Sequence, residues 1–469
     1  MDEARLEREL FAVGSDLAAA LPSAARHPLK AIDTKAMDLA SADAELKAAL
    51  FRFVDVVPAC RSLDDLSRHL TGFLGEVESP PPPIAAAMRM GSTKAGRLAM
   101  GRAAASGVKH MAHRFIVGES PEAALGVLRG LWRDGVASSV DLLGEATVTQ
   151  AEADRYAARC AEALDVVPTA AAVWPTRAQL EADPLGPLAR ANLSVKVSAL
   201  TPLLKADAPA RGKADAAGRL RELLRHAKRV GAHLHIDTES LDSRDATLEL
   251  VLELLSEPEF RDGPSAGMVL QAYLRDSPET LDKVLDWVRS GAGADRAHPL
   301  TVRLVKGAYW DHEVVDAQQH GWDVPVFEVK ADCDRNFEAL ARRLVDGQRA
   351  GGVRVAIASH NLRSVSAALA YNRLAGGGDA DLEFQILRGL GDPLQTAMAA
   401  HRIRVRAYCP VGDLVAGMAY LVRRLLENTS NDSFLSAQAS GASLDELLAP
   451  PGQEPAGSAG SLAEPAGTA

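Results

Sequence analysis

The chain has 469 residues, 47% of them hydrophobic and 24% charged, with a formal net charge of −10. These values suit soluble globular structure and exclude collagen-like, disordered and disulfide-scaffold classes. No Lys/Arg run exceeds a pair or two and no apolar window is long enough to span a bilayer, so no nucleic-acid partner and no membrane span are expected.

The N-terminus, MDEARLEREL, is acidic and helical, unlike a secretory leader. Cys60, Cys160, Cys333 and Cys409 are scattered without a CxxC, which reads as reduced cytoplasmic thiols. Apolar residues recur at helical spacing over 3–20, 41–54 and 63–74. Four prolines at 80–83 form a connector that no helix crosses, and helix resumes over 84–107. Residues 1–115 therefore read as an all-helical N-terminal arm, more simply an extension than a site, because no catalytic constellation stands in it.

From about residue 137 short β-branched runs alternate with helical stretches. The runs are 138–144, 193–200, 232–237, 267–273, 300–306, 353–359, 381–387 and 403–408. Most are near-continuously apolar, as strands buried on both faces must be. Helical patterns intervene at 150–164, 212–230, 243–256, 279–290, 326–350, 362–372, 392–400 and 413–427. Eight strand–helix pairs predict the α/β class and a (β/α)8 barrel over 116–440. A doubly wound open sheet is the rival, but no GxGxxG follows any strand. Residues 441–469, rich in Ala, Gly and Pro, predict a flexible tail or linker.

In such a barrel the active site lies at the C-terminal ends of the strands. Lys196 ends the second run and Asp237 the third. The fourth carries Gln271 and Tyr273, the fifth Arg303, followed by Lys306 and Tyr309. His360 and Asn361 follow the sixth, Gln385 and Leu387 close the seventh, and Tyr408 closes the eighth. One polar side chain in an apolar strand is usually a satisfied structural residue; seven strands ending this way point to a site. On the last helix Tyr420, Arg423, Arg424 and Glu427 share one face at i, i+3, i+4 and i+7. Adjacent arginines on a largely apolar helix suit a bidentate carboxylate clamp better than a solvated ion pair. With four of six tyrosines at the strand ends or on that face, the pattern suits a small ring-bearing acid. No HExxH, GxSxG or P-loop is present, and no metal is expected.

The segments SVKVSAL, HIDTE, VLQAY, RLVKGAYWD, ASHN, EFQILRGLGDP, AYCPVG and AYLVRRLLENTSNDSF, in that order, closely resemble proline dehydrogenase. More specifically they resemble the flavin domain of the bifunctional proline utilisation A family, over about 110–440. The resemblance implies FAD across the strand ends, with Arg303 facing flavin N5 and Gln271 the flavin ring. It implies Val305, Gly307, Ala308, Trp310 and Lys330 along the cofactor, and His360, Asn361, Gln385, Glu427 and Phe434 around its phosphate–adenosine part. Lys196, Arg423 and Arg424 would hold the proline carboxylate. Asp237, Tyr309, Leu387, Tyr408 and Tyr420 would shape the substrate pocket. The match is weakest over 325–334, where relatives often carry hydroxyl residues in place of Glu328 and Cys333.

The activity so implied is oxidation of L-proline to pyrroline-5-carboxylate, the first step of proline catabolism to glutamate. Electrons would pass to a quinone, by peripheral contact of a cytoplasmic protein with the inner membrane. The family also implies an aldehyde dehydrogenase as partner for the product, and the linker-like end is where such a domain would be expected to join. A folate-reducing flavin barrel and a non-catalytic scaffold are the competing readings. The first would need a pteridine site, and the second leaves the polar strand ends unexplained. The DNA-binding module found in some relatives has no basic counterpart in residues 1–50.

Overall fold

The computed structural model describes residues 2–22, 44–82, 84–85, 88, 94–144, 147–413, 417 and 442–452. Eight parallel strands close into a barrel: β1 Val136–Leu142, β2 Asn192–Lys196, β3 His233–Asp237, β4 Ala266–Gln271, β5 Leu300–Val305, β6 Val353–Ala358, β7 Glu383–Leu387 and β8 Arg404–Val411. Each pairs in parallel with its neighbours, and β1 closes the ring on β8 with Val136 opposite Val405 and Leu142 opposite Val411. All eight runs expected from the sequence are present, with their limits shifted by a few residues. The second run stops at Lys196 and continues as a helical turn, Val197–Leu200.

The helices in chain order are α1 Glu3–Ala19, α2 Ala44–Val56, α3 Leu63–Leu74, α4 Lys94–Phe115, α5 Pro121–Arg133, α6 Gln150–Ala171, α7 Pro209–Val230, α8 Leu241–Leu255, α9 Ser277–Arg289, α10 Trp310–His320, α11 Lys330–Arg349, α12 Leu362–Leu374, α13 Asp392–Ala400 and α14 Leu444–Leu448. Local chemistry sets their ends. Thr149 and Glu152 form a reciprocal capping box at the start of α6. Gly231 and Gly321, both in the left-handed region, end α7 and α10. The stretch expected as one helix from 326 begins at Lys330, and α10, which sequence periodicity missed, lies before it. Of the helix expected over 413–427, only Asp413 and Gly417 lie within the described residues.

Two terminal elements depart from the sequence reading. Helix α1 is part of the barrel's shell: Leu6, Leu10, Val13 and Leu17 are buried in the main core, and Glu3, Glu7 and Glu9 pair with Arg342, Arg363 and Arg373 of α11 and α12. Residues 442–452, expected as the start of a flexible tail, include α14. Its Leu448 is buried, reaches Gly14 of α1, and accepts a 2.6 Å hydrogen bond from Arg363 through its carbonyl. An apolar run of only a few residues escapes periodicity analysis but still fills a groove.

The rest of the arm, α2 to α4, builds a small core from Leu46, Ala49, Leu74 and Val77. It joins the barrel where Phe53, Phe115 and Ile116 meet Leu143 and Leu390, just past the ends of β1 and β7. Arg114 donates to the Gly389 carbonyl at 2.9 Å. The arm is thus anchored at the C-terminal mouth of the barrel. No helix among the described residues is long and apolar enough to cross a membrane.

Candidate active site

The barrel interior is unusually polar. Arg303 of β5 reaches across it, placing Nη1 2.5 Å from Asp237 Oδ1 on β3 and Nη2 3.1 Å from Ser194 Oγ on β2. Tyr408 of β8 donates its hydroxyl to the other Asp237 oxygen at 2.6 Å, and the Arg303 guanidinium lies 5.2 Å from the centre of its ring. The Lys196 ammonium is 2.5 Å from Asp141 Oδ1 and 3.5 Å from Asp237 Oδ2. Four of the expected residues, Lys196, Asp237, Arg303 and Tyr408, therefore form one connected cluster.

The electrostatics follow from this packing. Burial alone pushes the Asp237 carboxyl up, but Arg303 and then Lys196 outweigh it and hold the group below the usual carboxylate range. Burial works against the Lys196 charge, yet Asp141, then Asp237 and Glu239, keep its pKa above that of an ordinary lysine. Asp237 and Lys196 are thus ionised throughout the neutral range, with Lys196 and Tyr408 partly open to solvent.

The remaining expected residues occupy two tiers. At the rim, Val305, Leu387, Tyr309 and His360 are half-buried and Ala308 is exposed. His360 Nε2 accepts from the Leu387 backbone N–H at 2.9 Å, which places the proton of the neutral ring on Nδ1. Gly307 has φ +140° and lies against the Tyr273 ring, which a Cβ would strike, so only glycine is accommodated there. Trp310 is half-exposed at the start of α10, its Nε1 donating to the Phe327 carbonyl. Lys330, in the first turn of α11, pairs with Asp334, which also takes Lys306. Asn361 caps α12 by accepting from Ser364 N at 2.9 Å. Gln385 lies deeper, bonded to Glu383, which in turn takes Arg406 in a bidentate pair. Tyr273, counted from the sequence among the pocket's tyrosines, is instead buried and donates to Glu313. Tyr420, Arg423, Arg424, Glu427 and Phe434 lie outside the described residues.

Sequence reasoning missed Asp141, Ser194 and Glu239. Asp141 was detectable: it is a lone carboxylate inside SSVDLL, the same signal that drew attention to Lys196 and Asp237. Ser194 and Glu239 carry no such signal, because a strand serine and a loop glutamate are common.

Two orphaned atoms test whether these residues suit a flavin. Gln271 is buried and its Nε2 donates to the Glu239 carbonyl at 2.8 Å, leaving Oε1 without a partner among the described residues. Arg303 Nε is likewise buried and has no partner among those residues. A free acceptor on β4 and a free cationic donor on the adjoining β5 match a ring with an imide N–H and an electron-accepting nitrogen. The cations Lys306 and Lys330, which share Asp334, suit an attached diphosphate.

Comparison with known proteins places the chain in a family. The Proline dehydrogenase family pattern matches residues 124–437, and that of the Proline utilization A N-terminal domain matches residues 7–115. The bifunctional protein PutA of Salmonella typhimurium is 32% identical over 397 residues, which cover 82% of this chain and 27% of the relative. The proline dehydrogenase of Deinococcus radiodurans is 29% identical over 326 residues, covering 70% of this chain and 89% of the relative. Among solved structures, proline utilization A from Bdellovibrio bacteriovorus, inactivated by N-propargylglycine, superposes with a TM-score of 0.84 at 34% identity, covering 95% of this chain and 44% of that one. A Bradyrhizobium japonicum PutA mutant gives a TM-score of 0.69 at 28% identity. The chain thus spans about a quarter of the curated PutA relative and under half of the solved ones.

Proposed function

Because the chain belongs to the proline dehydrogenase family, we propose that its barrel oxidises L-proline to pyrroline-5-carboxylate, with FAD as resident cofactor and a quinone as the eventual electron acceptor. The observation that carries this reading is the Lys196–Asp237–Arg303–Tyr408 cluster at the strand ends, next to the unpartnered Gln271 Oε1 and Arg303 Nε. When bound, FAD supplies a two-electron acceptor for the hydride from the ring carbon beside the proline nitrogen.

The chain's own groups do the rest. Lys196, with Arg423 and Arg424 of the last predicted helix, neutralises the substrate carboxylate and fixes the ring's orientation; such positioning supplies much of the rate. Arg303 is held in place by Asp237 and Ser194, so its charge is aimed before substrate arrives and favours electron density on the flavin. Tyr408 and Leu387 border the pocket and limit ring size. Gln271, Val305, Gly307, Ala308, Trp310, Lys330, His360, Asn361 and Gln385 of the described residues, and Glu427 and Phe434 of the rest, are the proposed cofactor shell. The product's open form is an aldehyde, so an aldehyde dehydrogenase, fused or separate, is its proposed consumer.

The test is the visible spectrum of the purified protein. A flavin spectrum bleached by anaerobic L-proline, with o-aminobenzaldehyde trapping one pyrroline-5-carboxylate per flavin reduced, is expected. A colourless protein that takes up no added FAD rejects the cofactor; colour without bleaching rejects the substrate.

A further inference from the structure

We propose that Asp141 is a positioning residue for this reaction: it holds the Lys196 ammonium charged and aimed at the substrate carboxylate. The inference deepens the reading of Lys196 given above and rests on it.

The geometry divides the labour between two carboxylates. Asp237 is already committed, taking Arg303 on one oxygen and Tyr408 on the other, and stands 3.5 Å from Lys196. Asp141 stands at 2.5 Å, its side chain is 1% exposed, and Lys196 is its one charged partner among the described residues. It sits on β1 opposite Ser194, two positions before Lys196 on the neighbouring strand, so the barrel's register itself sets the separation. The Lys196 backbone is held independently: its N–H donates to the Tyr156 hydroxyl of α6 at 3.2 Å. Backbone position and ammonium position thus have separate anchors, and Asp141 is the one for the charge.

Among the described residues, the groups facing the ammonium leave it no equal substitute. From α6 come Tyr156 and Cys160, both pushed towards their neutral forms, first by burial. From β5 comes Arg303, of like charge and bound to Asp237. From beyond β3 comes Glu239, whose carboxylate takes Ser198 Oγ. Without Asp141, a mostly buried amine relies on a shared carboxylate at 3.5 Å, and desolvation then favours the neutral amine.

The experiment uses the flavin-loaded chain and cyclopentanecarboxylate, which has the substrate's carboxylate but no amine to titrate. Its affinity is read from perturbation of the flavin spectrum between pH 7 and 9.5. Wild type is expected to stay flat within about twofold. Asp141→Asn is expected to weaken about tenfold or more across that range as Lys196 discharges, and adding Lys196→Met should remove that slope. Asp141→Glu should keep the flat profile. Parallel profiles for wild type and Asp141→Asn overturn the proposal, as does a slope that survives Lys196→Met. If Asp141→Asn does not fold, Asp141→Glu decides: a several-fold weaker affinity with a flat profile supports the role, and unchanged affinity rejects it. A wild type that binds no flavin, or is not bleached by proline, rejects the proposed function instead, so the two failures are distinguishable.

Discussion

Two clusters of buried charge lie at opposite mouths of the same barrel and have different characters. At the N-terminal mouth a short hairpin, Ala182–Asp183 paired with Gly186–Pro187, brings in Asp183, whose side chain is 0% exposed. Arg354 near the start of β6 grips it at 2.7 and 3.0 Å, and Arg404 at the start of β8 adds a third contact at 3.3 Å. At the C-terminal mouth Asp237 is gripped as tightly by Arg303, but Lys196 remains 16% exposed. In both clusters arginines of the barrel strands grip a carboxylate. Among the described residues both leave buried polar atoms unpartnered, Arg354 Nη1 and Arg404 Nε and Nη1 below, Gln271 Oε1 and Arg303 Nε above; the lower one is sealed and serves closure, and the upper one opens to solvent at Lys196. Buried ion pairs alone do not mark a site; access together with an unmet hydrogen-bonding demand does.

The sharpest way to break this contrast is at the closed end. Asp183→Ala strands two buried arginines, and such a loss costs about 3–5 kcal/mol. Denaturant unfolding should show that loss, while the folded fraction keeps its wild-type proline KM. A raised KM at normal stability would show that the lower mouth also serves the reaction.

At the open end the expectation reverses. Arg303→Met removes charged hydrogen bonds worth about 1.5–3 kcal/mol each. It should empty the flavin site or lower the flavin reduction potential, with proline turnover falling by at least about tenfold. Normal flavin content, potential and turnover in that variant would place Arg303 with Arg354 and Arg404 as a purely structural cation.

Acid should act on the layer between the mouths. Burial, reinforced by Arg406, holds His233 neutral with a pKa of about 3, against 6.5 when exposed. The unfolded chain therefore binds more protons than the folded one between those values, and stability falls as pH drops through that window. Burial raises the Glu383 carboxyl, but Arg406 more than reverses this and brings it to about 2. Its contribution is complete above about 4.5 and is lost as pH falls towards 2. Unfolding and flavin release, followed together on acidification, should coincide. Flavin loss at a distinctly higher pH would mean that the upper mouth titrates on its own.

The smallest effect separates capping from binding at the rim. Asn361→Ala removes the cap of α12, worth about 0.5–2 kcal/mol. If Asn361 also touches the cofactor as proposed, FAD affinity should fall several-fold beyond what that destabilisation explains. An unchanged FAD dissociation constant would leave Asn361 as a cap alone.

Sequence alone determined the class and the strand count and pointed to much of the candidate site. Strands buried on both faces must be continuously apolar, so Lys196, Asp237, Gln271, Arg303 and Tyr408 stood out as the exceptions, each near a strand end where a barrel opens. What it could not decide was pairing across the ring. The partners Asp237 and Arg303 are separated by 66 residues, and Asp237 and Tyr408 by 171. Only closure of β1 on β8 makes them neighbours. Nor could periodicity place α1 and α14 against the shell. An amphipathic helix shows that it must cover something, but not what it covers, and α14 is too short to show even that. Tyr273 illustrates the same limit: its position promised a pocket wall, and the turn at Gly307 and the Glu313 carboxylate claimed its ring and hydroxyl instead. Hydrophobic pattern is local and survives in one dimension; the distribution of charge partners and grooves is a property of the closed barrel, fixed only when strands remote in sequence share one interior.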